Sequence, residues 1–137
     1  MFKTILIPID MAHVAAGKTN IDIAAQQAAG SGARMILLNV IEEIPGWAAA
    51  ELPADLLKQS RQRAEDDLKA IANASGQDLE VMVRSGNPYK CILEVAREEG
   101  VDLIIIASHR PGLQDYFLGS TAAKVVRHAA SSVLVKR

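Results

Sequence analysis

Cysteine is almost absent from this chain. Cys91 stands alone among 137 residues, which excludes an internal disulfide and any zinc site of the paired-cysteine type. A lone cysteine is expected to pack on the buried face of a helix rather than to react. Long hydrophobic runs are missing as well. None approaches the roughly 18 residues needed to span a bilayer, so membrane insertion is not expected. Nor does either sign of charge dominate: 15 Lys and Arg stand against 16 Asp and Glu, a net charge of −1. So flat a balance argues against nucleic acid or a membrane surface as partner. No repeat, low-complexity tract or linker interrupts the sequence. Met1-Phe2-Lys3 leads directly into strand-like residues without a signal-like segment, and the expectation is a cytoplasmic protein.

What is present is the composition of a globular domain, half hydrophobic and 23% charged. The length predicts one domain over 1–137, burying roughly two-thirds of its unfolded surface without staples. Five apolar segments read as strands: Ile5–Ile9, Met35–Val40, Leu79–Val83, Leu103–Ala107 and Ser132–Val135. They lack polar alternation, as strands covered on both faces do. Helical patterns lie between them. Ile21, Ala24, Ala25 and Ala28 form one stripe; Leu57, Ala64, Leu68 and Ile71 form a second, with Arg61, Arg63, Glu65 and Asp66 on a solvated face. Pro88 opens a third helix, with Ile92, Val95 and Ala96 inward, and Gly119-Ser120 opens a fourth, with Ala122, Val125, Val126 and Ala129 inward. This β-α-β-α-β-α-β-α-β order predicts an α/β fold, an open parallel sheet with helices on both faces and right-handed crossovers. The one long connection, 41–53, is a candidate lid.

In such a sheet, ligands bind beyond the carboxyl ends of the strands, where strand order reverses. The loop after the first strand approaches a phosphate-binding pattern: Ala12 through Gly17-Lys18-Thr19 differs from G-x-x-x-x-G-K-[ST] by the missing first glycine. No strand supplies the partner aspartate for magnesium either. The expectation is therefore that Gly17-Lys18-Thr19 caps a helix and that Lys18 is solvated. The loop after the fourth strand is more telling. Ser108-His109-Arg110-Pro111-Gly112 is followed by Gly119-Ser120-Thr121 at a helix start, where free N–H groups and the helix dipole suit a phosphate. Arg110 and His109 could add cationic donors, although Gly-Ser is also ordinary capping chemistry. His13 and His128 lack a third partner at metal-ligand spacing and read as surface or cap residues. Trp47 is expected to anchor the long connection, with packing over a ligand as the alternative.

The order of several short motifs carries a resemblance. Ile5-Leu6-Ile7-Pro8-Ile9-Asp10, Asn39-Val40, Gly86-Asn87-Pro88, Ala107-Ser108-His109-Arg110-Pro111, Leu118-Gly119-Ser120 and Val125-Val126-Arg127-His128-Ala129 recur in this order. With Ser132-Val133-Leu134-Val135 closing the chain, the sequence resembles the universal stress protein family, in its small single-domain branch, over essentially its whole length. The resemblance implies a Rossmann-like, adenine nucleotide alpha hydrolase-like domain with strand order 3-2-1-4-5. It also implies ATP, with or without magnesium, as the ligand. By analogy Pro8, Ile9 and Asp10 would line the ribose, with the Asp10 carboxylate on its hydroxyls, and the Val40 backbone would read the adenine edge. Ala107, Ser108, His109, Arg110, Gly119, Ser120 and Thr121 would hold the phosphates. The family motif G-x-x-G-x(9)-G-[ST] is altered here: Ala107 and Arg110 replace its first two glycines, and the spacer to Gly119 is one residue shorter.

With Asp115 the only acidic residue near the phosphate loops, binding is expected over turnover. The function implied is that of a nucleotide-binding stress-response regulator, non-catalytic or very slow, acting on a protein partner that the sequence does not identify. Alternatives are a weak ATPase or autokinase with Ser108, Ser120 or Thr121 as acceptor, and a nucleotide-free interaction module in which Arg110 blocks the pocket. The resemblance and the exposed, β-prone Ser132–Arg137 segment together imply a homodimer through the carboxyl-terminal strand.

Overall fold

The computed structural model describes residues 1–108 and 118–137. Five strands, β1 (Thr4–Pro8), β2 (Arg34–Ile41), β3 (Glu80–Ser85), β4 (Leu103–Ala107) and β5 (Ser132–Lys136), form one sheet in the order β3-β2-β1-β4-β5. Every pairing is parallel. The expected order and class are therefore what the chain adopts.

The continuous apolar runs explain this sheet. A strand's side chains alternate between faces, so a run with no polar residue can feed a core on each side. Ile5 and Ile7 enter one core together with Met35, Leu37, Leu103 and Ile105. Leu6 enters the other with Ile36, Leu38, Ile104 and Ile106. Helices α1 (Val14–Ala28) and α3 (Ala54–Ser75) cover the first face through Ile21, Ala24, Leu68 and Ala72. Helices α4 (Pro88–Glu98) and α5 (Ser120–His128) cover the second through Ile92, Val95, Ala122 and Val125.

Asp102 secures the start of β1 against β4. Its carboxylate accepts the Lys3 N–H at 2.8 Å and the Thr4 N–H at 2.9 Å. Burial pushes this carboxyl up, but the donated N–H groups outweigh it and hold the group below the usual aspartate range.

Four expectations need correction. The connection after β2 contains a short helix, α2 (Gly46–Ala49), and Trp47 on it is 77% exposed, so it does not anchor the connection, and it is not among the residues that line the cleft described below. Leu57 and Val126 are exposed rather than core-facing, whereas Ala64, Leu68, Ile71 and Ala72 on α3, and Ala122, Val125 and Ala129 at α5, do meet the cores. Gly17 does not cap a helix. Helix α1 begins at Val14, so Gly17 lies a full turn inside it and is buried. The apolar side chains of β5 are not left bare: Val133 and Val135 pack on one core and Leu134 on the other. Among the described residues, what remains open at that edge is backbone.

Cys91 is buried on α4, as expected, with its thiol 3.7 Å from the Ser85 carbonyl oxygen. Burial pushes the thiol up, away from the reactive thiolate. No helix among the described residues is long and apolar enough to cross a membrane.

Candidate functional site

Strand order reverses between β1 and β4, since β2 continues from one side of β1 and β5 from the far side of β4. Diverging connections leave a crevice at such a point. Here it is a cleft of about 710 Å³, within the range of small-molecule sites. Its walls come from the carboxyl ends of β1, β2 and β4, the first turns of α1 and α5, and Pro88 at the start of α4.

Nine of the eleven expected site residues line this one cleft: Pro8, Ile9, Asp10, Val40, Ala107, Ser108, Gly119, Ser120 and Thr121. The other two, His109 and Arg110, lie outside the described residues, as does Asp115. Asp10 and Ser120 are exposed at the mouth, whereas Ile9 and Ser108 are buried at 5% and 3% exposure.

Asp10 does two jobs with its backbone and side chain. Its carbonyl accepts the His13 N–H at 2.9 Å, and its Oδ1 accepts the Ala12 N–H at 2.9 Å. Such a turn is what aspartate's short acceptor side chain favours. Among the described residues Oδ2 accepts no bond, so the turn consumes half of the carboxylate and leaves the other half at the cleft mouth.

Three helix amino ends border the cleft, and they are finished differently. Asn87 caps α4 by accepting the Lys90 N–H at 3.4 Å, and Pro88 occupies the first turn without an N–H. The ends of α1 and α5 have no side-chain cap: their N-cap residues are His13 and Gly119. In α5 the first intrahelical acceptor, Gly119 O, is used by Ala123 N at 2.9 Å. The N–H groups of Ser120, Thr121 and Ala122 therefore have no partner within the helix. Their partial positive charge faces the cleft and favours an anion there. The β4–α5 junction is held at its base by two backbone bonds. Ser108 N donates to Lys136 O at 2.9 Å, and Gly119 N donates to Ser108 O.

The near-phosphate-loop residues play another part. Lys18 is exposed and does not line the cleft. Gly17 packs against β1 so closely that an added Cβ would stand 2.2 Å from Ile9 Cδ1. The glycine is needed for helix–strand approach, and the phosphate-loop likeness is accidental.

Sequence reasoning missed four polar lining residues: His13, Asn20, Asn39 and Glu42. Asn20 carried a legible signal. It is a polar residue on the α1 face otherwise formed by Gly17, Ile21 and Ala24. It is 1% exposed, and its Oδ1 has no hydrogen-bond partner among the described residues. Among the described residues no three His, Cys, Asp or Glu side chains cluster to hold a metal ion.

Comparison with known proteins agrees with this architecture. The model of the Universal stress protein family matches residues 1–137. The Universal stress protein in QAH/OAS sulfhydrylase 3'region of Thermus aquaticus is 32% identical over 141 residues, covering all of both chains. The solved structure of the hypothetical protein MJ0577 superimposes with a TM-score of 0.81 at 27% identity, over 98% of this chain and 95% of that one. A universal stress protein solved in complex with cAMP shares the fold, with a TM-score of 0.71 at 24% identity over 99% of this chain and 97% of that one.

Proposed function

This chain belongs to the universal stress protein family, and from that premise we propose that its cleft binds ATP and that occupancy, not turnover, is its activity. The observation that carries the reading is the uncapped amino end of α5 opening onto the cleft that Asp10 also lines. An anionic group at one end and hydroxyls at the other is the pattern of a nucleotide. The free half of the Asp10 carboxylate accepts from the ribose. The backbone at Val40 reads the adenine edge, and Pro8 and Ile9 floor the site. Gly119, Ser120 and Thr121 hold the phosphates together with Ala107, Ser108, His109 and Arg110. Magnesium would arrive with the phosphates rather than ahead of them, given the lack of a carboxylate cluster among the described residues. The cAMP complex of a protein with this fold illustrates that the fold accepts an adenine nucleotide.

Asp10 and Glu42 are the only carboxylates among the described cleft residues. Asp10 is committed to the turn and the ribose, which leaves little to activate a water for phosphoryl transfer. Occupancy instead changes the exposed connection 42–53, the surface nearest to Val40 and Glu42, and a cytoplasmic protein partner reads the change. Mass spectrometry of small molecules released from gently purified, denatured protein tests this reading. ATP or another adenine nucleotide is expected. A protein that releases none and shows no thermal shift on adding ATP refutes it.

A further inference from the structure

The cleft contains a buried polar group that neither the fold nor the expected nucleotide contacts use. Asn20 sits one helical turn after Gly17 on the buried face of α1 and is 1% exposed, yet it borders the cleft. Its Oδ1, sealed from solvent, has no hydrogen-bond partner among the described residues, and its Nδ2 makes no bond among them either. Leaving such a group unsatisfied costs more than an apolar residue of the same shape would, so the fold alone gives no reason for an asparagine here. Its position is also held firmly. Gly17 lets α1 descend until it touches Ile9, and this contact sets how far Asn20 reaches over the end of β1.

We propose that Asn20 is a ligand-reading residue whose carboxamide oxygen accepts a hydrogen bond from an uncharged N–H or O–H of the bound molecule. The proposal rests on the nucleotide reading above and deepens it. The free acceptor excludes ionised phosphate oxygens as its partner, because they only accept. In an adenine nucleotide the remaining donors are the exocyclic amine and the ribose hydroxyls. Through Oδ1, Asn20 thus reads the uncharged half of the nucleotide, while the α5 terminus takes the anionic half.

Asn20→Leu tests this with a side chain of the same branching that carries no polar atom. Because the leucine removes an unsatisfied buried group, the ligand-free variant is expected to melt at or above the wild type, by up to roughly 5 °C. Calorimetric affinity for ATP is expected to fall about tenfold, the loss of one buried hydrogen bond. Three analogues then locate the donor: 2′-deoxy-ATP, 3′-deoxy-ATP and ITP. For the one lacking the recognised group, wild type and Asn20→Leu should bind alike. Asn20→Ala gives a second affinity reading should the leucine fold poorly. If the wild type binds ATP and both variants bind it equally well, the amide serves only an internal water and the proposal falls alone. A tenfold loss that persists with all three analogues overturns it too, since the amide would then be acting on something else. A wild type that binds none of these nucleotides takes down the nucleotide reading and this proposal together.

Discussion

Gly17→Ala tests the packing on which the cleft depends. In an exposed helix this change gains about 1 kcal/mol of helix propensity. Here the new Cβ would lie 2.2 Å from Ile9 Cδ1, 2.3 Å from Cγ1 and 3.4 Å from Cβ. The Cδ1 atom is a chain tip and can swing, but Cγ1 moves only if χ1 turns. Ile9 is 5% exposed and packed in the α1-side core, so its freest direction is into the cleft. Overfilling of this kind costs about 1–3 kcal/mol. Set against the propensity gain, the net destabilisation is between zero and about 2 kcal/mol, a fall in melting temperature of several degrees. Urea unfolding gives the stability and calorimetry gives the ATP affinity, which should drop because Ile9 now occupies ligand space. A variant that keeps the full propensity gain of about 1 kcal/mol and binds as the wild type does would refute the account of Gly17. Lys18→Ala is the matched control: its side chain is exposed, and affinity should stay within about twofold. A loss above about 2 kcal/mol would reinstate the phosphate loop.

Gly119→Val should abolish measurable ATP binding while leaving the fold intact, because φ −58° at Gly119 accepts any side chain and residue 119 lines the cleft at the approach to α5. Retained affinity would move the phosphates elsewhere. Asp102→Ala should cost about 1–2 kcal/mol at pH 7 by removing the acceptor of the Lys3 and Thr4 N–H groups. The folded pKa values of Asp102 and of Glu80, the latter held down by its hydrogen bond to Arg34, lie below the unfolded ones. Their stabilisation is therefore complete above the ordinary carboxyl range and is lost as pH falls through the lowered folded values. Urea midpoints recorded into acid should fall less steeply for Asp102→Ala, and parallel curves would contradict the assignment. At the open edge of the sheet, Ser132 N donates to Asp102 O and Lys136 O accepts from Ser108 N, so residues 132, 134 and 136 face β4. Val133 and Val135 then turn their N–H and C=O groups outward, available to a second copy. Sedimentation equilibrium should find a wild-type dimer that Val135→Pro, which removes one outward N–H, converts to monomer. A wild type that is monomeric at micromolar concentration would rule this out.

The fold was legible because its signals are local. Unbroken apolar strands such as Ile5–Ile9 need cover on both faces, and the helical stripes between them supply it, so alternation alone leads to a parallel sheet. The candidate cleft was legible in outline because its residues sit at strand ends and at one helix start, where motif order marks them: Asp10, Val40, Ala107 and Gly119-Ser120 line one cleft from separate stretches of sequence. Pattern matching failed where meaning depends on what a residue touches. Gly17 looked like part of a loop and proved to be a packing contact, because only the three-dimensional approach of α1 to Ile9 shows why a Cβ is forbidden. Trp47 looked like an anchor, but no element among the described residues buries the ring. Asn20 went unread because a polar residue within a helix acquires significance only when burial takes away its water and nothing replaces it. Local propensity and periodicity thus determined the elements and their layering. Which groups are satisfied, which are crowded and which are left open to a ligand was decided by tertiary packing, since desolvation and steric contact exist only once distant segments meet.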